Sequence, residues 1–232
     1  MPQPRISVII PVLNEEASIG AVLDDIPSVL NPEVLVVDNG CTDRTIPVAQ
    51  ARGARIVTAK QRGYGAACYA GTLAATGEIL VYLDGDYSDY PEEMVLLVEP
   101  ILIGQADLVL GSRLARGDLP REAMPFQQRF GNWLTAFLMR RLYRIPVTDL
   151  SPFRAVRKEA LLALEMREMT FGWPTEMMVK AARAGWRIKE IPVHYRPRLG
   201  GKSKISGTLR GTILAGYYIL ITTFRYALVR NR

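Results

Sequence analysis

The chain has only two cysteines, Cys41 and Cys68, in 232 residues. Two well-separated thiols supply neither a disulfide framework nor the spacing of a metal site, which points to a reducing compartment and leaves them as small apolar packing residues. Histidine is scarcer: His194, in PVHYRP, stands alone and is assigned no role. Long apolar runs are also missing. The uncharged segment GTILAGYYILITTF, 211 to 224, falls short of the roughly 20 residues a spanning helix needs. The first apolar stretch of MPQPRISVIIPVLNEE is shorter than a signal-peptide core and runs into acid, so a cytoplasmic location is expected. There is no internal repeat and no low-complexity tract.

What remains is enough for a sizeable core, since 49% of the residues are hydrophobic. The formal net charge of +6 favours an acidic partner: a phosphorylated small molecule, an anionic membrane or nucleic acid. Nucleic acid is disfavoured. The basic residues gather in one glycine-rich segment, YRPRLGGKSKISGTLR at 195 to 210, with no acid in it, instead of forming a stripe with interleaved aromatics.

Short β-branched runs at 6 to 12, 33 to 38, 54 to 59, 79 to 84 and 106 to 112 predict strands, and longer amphipathic stretches near 15 to 26, 43 to 53, 64 to 76 and 92 to 104 predict helices. Such alternation implies an α/β fold, a mainly parallel sheet with helices on both faces. Ligands of such sheets bind at the carboxyl ends of the strands. There the sequence puts Asn14 and Glu15 (PVLNEE), Asp38 (VVD) and the acids of VYLDGDYSDYP, Asp84, Asp86 and Asp89. Singly, each residue reads as a turn former or helix cap. Together they aim polar groups at one rim. Like charges this close oppose one another's ionisation unless a cation sits among them. Asp84 and Asp86, one residue apart, suit a hard divalent ion, Mg²⁺ or Mn²⁺, whose remaining positions go to water and substrate phosphates.

The second half is different. On a helical stripe between 113 and 144 lie Phe126, Phe130, Trp133, Leu134, Phe137 and Leu138, beside Arg129, Arg140 and Arg141. A stripe of this kind reads first as core and second as a membrane contact. The segment from 208 to 232 is set apart from a domain of residues 1 to 207 as an apolar and basic tail, an interfacial or packed terminal helix.

The ordered motifs SVIIPVLNEE, VVDNGCTDRT, QRGYGAACYAG, YLDGDYSDYP, GSR, TDLSPFRAVR and YRPRLGGKSKIS resemble those of family 2 glycosyltransferases of the GT-A fold. They are most similar to the branch that holds dolichyl-phosphate mannosyltransferase and bacterial polyprenyl-phosphate enzymes. The resemblance covers about residues 5 to 207. It implies a GT-A, Rossmann-like domain that transfers a hexose, with inversion and a divalent metal, from GDP- or UDP-hexose to a polyprenyl phosphate, peripheral to the inner face of a membrane. By the same resemblance Pro11, Asn14, Glu15, Asp38, Gly63 and Asp84 bind the nucleotide sugar. Asp84 and Asp86 hold the metal. Arg113 reaches substrate phosphate, Arg154 matches the arginine of a GFR motif, and Arg196, Arg198, Ser203 and Lys204 fall on a loop associated with the lipid phosphate.

Several positions depart from the family pattern. Asn39 and Cys41 stand where an aspartate and a serine are common. Ser88 takes the place of a metal-binding glutamine, for which Asp89 or water is expected to compensate, and Pro152 replaces the glycine of GFR. Where relatives acting on hydroxyl groups carry a Glu-Asp pair with a general base, this chain has Glu176 followed by Met177. A hydroxyl nucleophile needs a base and a phosphate monoester does not, so the weakened pair and the basic loop both favour a phosphate acceptor. Transfer to a soluble or glycan hydroxyl, with Glu176 or Asp149 as base, is the alternative. A non-catalytic membrane-associated module and a sugar nucleotidyltransferase rank below it, the latter because PVLNEE is acidic where such an enzyme needs a basic glycine-rich loop.

Overall fold

The computed structural model describes residues 5–200 and 209–228. Seven strands form one sheet in the order β3-β2-β1-β4-β6-β5-β7: β1 (Ile6–Val12), β2 (Glu33–Asp38), β3 (Arg55–Thr58), β4 (Ile79–Tyr82), β5 (Leu108–Ser112), β6 (Arg154–Arg157) and β7 (Ile188–Pro192). Every pairing is parallel except the two made by β6. The expected mainly parallel sheet is what forms, with one strand reversed.

That reversal has a consequence for placement. The carboxyl ends of β1, β2, β4, β5 and β7 share one rim, and the antiparallel β6 brings its amino end, Arg154, to the same rim. Loops far apart in sequence therefore converge there.

Along the strands, successive side chains serve opposite faces. Ile9, Leu35, Leu80 and Leu110 belong to one core cluster, and Val8, Ile10, Val36, Val81 and Val109 to the other. Helices α1 (Ile19–Asp24), α2 (Thr45–Ala51) and α4 (Met94–Leu102) contribute to the second, whereas α3 (Tyr64–Ala74), α5 (Phe126–Tyr143), α6 (Lys158–Ala163), α7 (Trp173–Arg183) and α8 (Leu209–Leu228) lie with the first. Strands buried on both faces explain why these runs read as continuously apolar.

The aromatic stripe of α5 corrects the reading that placed it in the core. Phe126, Phe130, Trp133 and Phe137 are 46–78% exposed, stacked along the helix with ring centroids 5.9–6.5 Å apart. The buried face is instead Thr135, Ala136 and Met139. Helix α8 packs on both α5 and α7. It too leaves apolar side chains outside: Ile213, Leu214, Tyr217 and Phe224 are exposed. Among the described residues no helix is long and apolar enough to cross a membrane.

Candidate active site

The rim begins with two loops that interlock. Asn14, after β1, has φ +54°, a conformation asparagine tolerates. Its Oδ1 accepts from the Thr42 N–H at 2.8 Å, while the Glu15 N–H donates to Thr45 Oγ1 at 2.7 Å. Asp38, at the end of β2, accepts the N–H groups of Gly40 (2.9 Å) and Cys41 (2.8 Å). Partial burial works against its charge, but these donors win and hold the carboxyl below its ordinary range. Asn39 accepts from the Gly63 N–H at 3.0 Å. Gly63 is required by its φ of +147° and by the Met169 carbonyl, which would lie 2.3 Å from an added Cβ.

The acid turn follows β4. Tyr64 donates to Asp84 at 3.3 Å, and Arg113 lies close enough to favour its charge. Burial first, then Asp86 and Glu15, outweigh both and push the Asp84 carboxyl up to about 7. Asp86 Oδ1 accepts the backbone N–H of Ser88 (2.9 Å) and its hydroxyl (2.5 Å), and Oδ2 accepts from Arg198 at 2.7 Å. Arg198 also lies 3.6 Å from Glu15. The cation among these aspartates is thus a guanidinium of the chain itself.

Asp89 is the exception. It is 2% exposed, and among the described residues neither carboxylate oxygen has a hydrogen-bond partner. Burial, reinforced by Asp84, pushes its carboxyl well above the ordinary range. An orphaned buried carboxylate is costly unless a ligand or a proton completes it.

Arg196, expected on the acceptor phosphate, braces this turn. Its guanidinium lies 3.4 Å from the Tyr87 ring centre and 4.2 Å from that of Tyr90, and it donates to the Tyr87 carbonyl at 2.7 Å. Tyr87 has φ +65°, a strained setting for a bulky residue. Stacking from above and a 2.5 Å hydrogen bond from its hydroxyl to Asp25 hold it there. Ser203 and Lys204 lie outside the described residues.

Arg113, after β5, is buried and paired twice with Asp149: Nε to Oδ2 at 2.7 Å and Nη2 to Oδ1 at 2.8 Å. Its own N–H donates to the same carboxylate at 3.0 Å. Burial opposes its charge, but Asp149 keeps it charged. Arg154 is buried too, donating to the carbonyls of Ser151 and Pro174, and burial pushes its guanidinium down. Its donors hold the loop before β6.

Glu176 is not gathered with these groups. It accepts from the N–H of Arg167 (3.0 Å) and Glu168 (2.7 Å), from Lys180 (2.9 Å) and from the Tyr226 hydroxyl (2.5 Å). Burial would raise its carboxyl, and these donors hold it below the ordinary value. Pro11, within β1, pairs across to Val37 and takes its place by register. Sequence reasoning passed over Tyr64 and Asn39 as contributors. Their signal was present, since each adjoins a residue it did select.

A mainly parallel sheet with interlocked polar loops and an acid turn at one rim is an α/β architecture with a polar cleft at its strand ends, and the sequence profile described as Glycosyl transferase family 2 matches residues 7–164. The chain belongs to that family and is a glycosyltransferase. It is 44% identical over 210 residues, 90% of this chain and 94% of the relative, to an uncharacterized glycosyltransferase of Mycobacterium tuberculosis. It is 35% identical over 198 residues, 84% of each chain, to dolichyl-phosphate hexose transferase of Haloferax volcanii. Among solved structures, glucosyl-3-phosphoglycerate synthase of M. tuberculosis, in complex with Mn²⁺, UDP and glucosyl-3-phosphoglycerate, superposes with a TM-score of 0.78 at 26% identity, covering 98% of this chain and 81% of that one. The fold is that of these GT-A neighbours.

Proposed function

We propose that the protein transfers a hexose from a GDP- or UDP-sugar to a polyprenyl phosphate, with inversion at the anomeric carbon. The observation that carries this reading is the state of the two carboxylates that a hydroxyl acceptor would call on as a base. Asp149 is committed to Arg113, and Glu176 to four donor groups. A phosphate monoester is already an anion and needs no base. The Haloferax relative, named for a dolichyl-phosphate acceptor, supports the same reading.

In this scheme Asp38 and its loop receive the nucleoside, and Arg113, kept charged by Asp149, faces the acceptor phosphate. Asp84 and Asp86, with the unpartnered Asp89 beside them, suit Mg²⁺ or Mn²⁺ as hard oxygen donors. Among the described residues no three acidic, histidine or cysteine side chains form a metal cage, so the protein's own donors in this proposal are Asp84 and Asp86, and the remaining positions fall to diphosphate oxygens and water. When bound, the ion neutralises the departing diphosphate. Arg198 is assigned to the acceptor phosphate, and its contact with Asp86 at 2.7 Å puts it beside the donor diphosphate as the alternative.

The exposed aromatic face of α5 and the apolar side chains of α8 rest on the inner surface of a membrane, aided by Arg140 and Arg141. A soluble phosphorylated acceptor is the second reading, favoured by the solved neighbours with phosphoglyceric acid or its glucosylated product. One experiment separates them. Labelled GDP-mannose and UDP-glucose are offered, with Mn²⁺, to a short polyprenyl phosphate and to phosphoglyceric acid in parallel. Label entering the organic phase supports the lipid acceptor, and label on phosphoglyceric acid alone overturns it. Anionic vesicles should bind the protein and release it at high salt, and Phe130→Ser with Trp133→Ser should abolish that binding.

A further inference from the structure

We infer that Glu176 of α7 and Tyr226 of α8 are positioning residues for the donor site, so that docking of the C-terminal helix sets the geometry in which the nucleotide is received. The inference rests on the reading of Asp38, Asn39 and Asp84 as the donor rim.

The connection is continuous and made mostly of backbone. Tyr226 donates to Glu176 at 2.5 Å, and Lys180 pairs with the same carboxylate at 2.9 Å while donating to the carbonyls of Leu164 and Glu165. Through the N–H groups of Arg167 and Glu168, Glu176 fixes the segment that leads to Thr170. That segment caps the start of α3: the Met169 carbonyl accepts the N–H of Ala66 at 3.0 Å, and the Thr170 carbonyl accepts that of Gly65 at 3.2 Å. The two surfaces are in direct backbone contact. A Cβ on Gly63 would lie 2.3 Å from the Met169 carbonyl, and one on Gly65 would lie 2.5 Å from that of Glu168. With no side chain between them to absorb a shift, movement of one displaces the other. The start of α3 in turn supplies the Gly63 N–H to Asn39 and the Tyr64 hydroxyl to Asp84.

Helix α8 is anchored at this junction by more than Tyr226. Its Thr223 carbonyl accepts from Tyr143, its Tyr226 carbonyl accepts from Arg183, and Thr222 packs on Gly172. The helix that carries an exposed apolar face thus also carries the donor that completes a buried carboxylate. A surface that engages or strips α8 acts on the far rim through Glu176.

Tyr226→Phe tests this with the fold kept, since only a hydroxyl is lost. Amide hydrogen exchange of the full chain reads the coupling without any nucleotide. Gly65 and Ala66 should exchange about tenfold faster while the amides of β1 are unchanged. Acceleration of all amides by one factor, or none at Gly65 and Ala66, overturns the inference. Calorimetric titration with UDP or GDP and Mn²⁺ should show three- to tenfold weaker binding. Equal affinity in wild type and variant also overturns it. If wild type binds neither nucleotide, the donor-site reading fails, and exchange at Gly65 and Ala66 still decides the coupling. Glu176→Gln, which keeps an acceptor oxygen, should retain more nucleotide affinity than Glu176→Ala, and the reverse order contradicts the assignment.

Discussion

Two sets of acids in this protein differ in how their donors are supplied. Around Arg113 and α7, Asp149 and Glu176 are each surrounded by donors that hold the ionised form in place. In the turn after β4, Asp89 has no partner among the described residues, Asp84 has one long hydrogen bond, and Asp86 takes two local donors from Ser88 and a third from Arg198 of a distant loop. Carboxylates therefore serve opposite ends, Asp149 and Glu176 fully buried and Asp84 and Asp86 only partly so. A carboxylate with its donors built in holds the chain together, and one left short of donors keeps the capacity to meet a ligand.

Breaking the acid turn should have the largest effect on turnover. Asp84→Asn or Asp86→Asn should each lower transfer by roughly a hundredfold or more, because a metal ligand is lost. Their melting temperatures should stay equal or rise, since like-charge crowding is relieved. A variant that keeps full activity with an unshifted metal requirement would remove the assignment. Asp149→Ala should do the reverse and act on stability. Leaving Arg113 buried and unpaired costs about 3–5 kcal/mol, a fall in melting temperature of roughly 6 to 20 °C. Stability within 1 kcal/mol of wild type would mean that Asp149 is free to act as a base after all.

Arg198→Ala probes the link between the basic loop and the acid turn. Loss of a charge-assisted contact worth about 1.5–3 kcal/mol should worsen the acceptor Michaelis constant by about tenfold with nucleoside diphosphate affinity unchanged. Weaker nucleoside diphosphate binding with no acceptor present would place the loop on the donor instead. The smallest effect concerns pH. Glu176 is held below its ordinary value of 4.5, so the stability it contributes is complete above that pH and is lost as pH falls through the lower, folded-state value. Tyr226→Phe removes one donor that favours the ionised form. Urea unfolding at pH 7 and near pH 3 should show a smaller loss on acidification in the variant than in wild type.

Much of this was legible in the sequence. The strands at 6 to 12 and 33 to 38 form as read, because a run of β-branched residues buried on both faces has few alternatives. The acids at the ends of β1, β2 and β4 come to one rim because parallel strands share it. The α5 stripe was misread for a physical reason. Periodicity reveals that a helix has an apolar side, and not whether the partner is protein or something else, and here the side turned to the protein is the one with Thr135 and Ala136. The contacts of Arg196 were not legible because a cation in a glycine-rich loop looks free until the Tyr87 and Tyr90 rings are found within 3.4 and 4.2 Å of it.

The sequence alone determined the alternating α/β pattern, the family motifs and the crowding of charge at Asp84, Asp86 and Asp89, all of which depend on neighbours within a few residues. Only the tertiary structure decided which acids are committed and which are open, that Arg198 stands against Asp86, and that Tyr226 completes Glu176 across 50 residues of chain. A carboxylate's role depends on the donors within about 3 Å of it, and Arg198 for Asp86, Arg113 for Asp149 and Tyr226 for Glu176 come from segments far away in sequence that only the folded chain brings together.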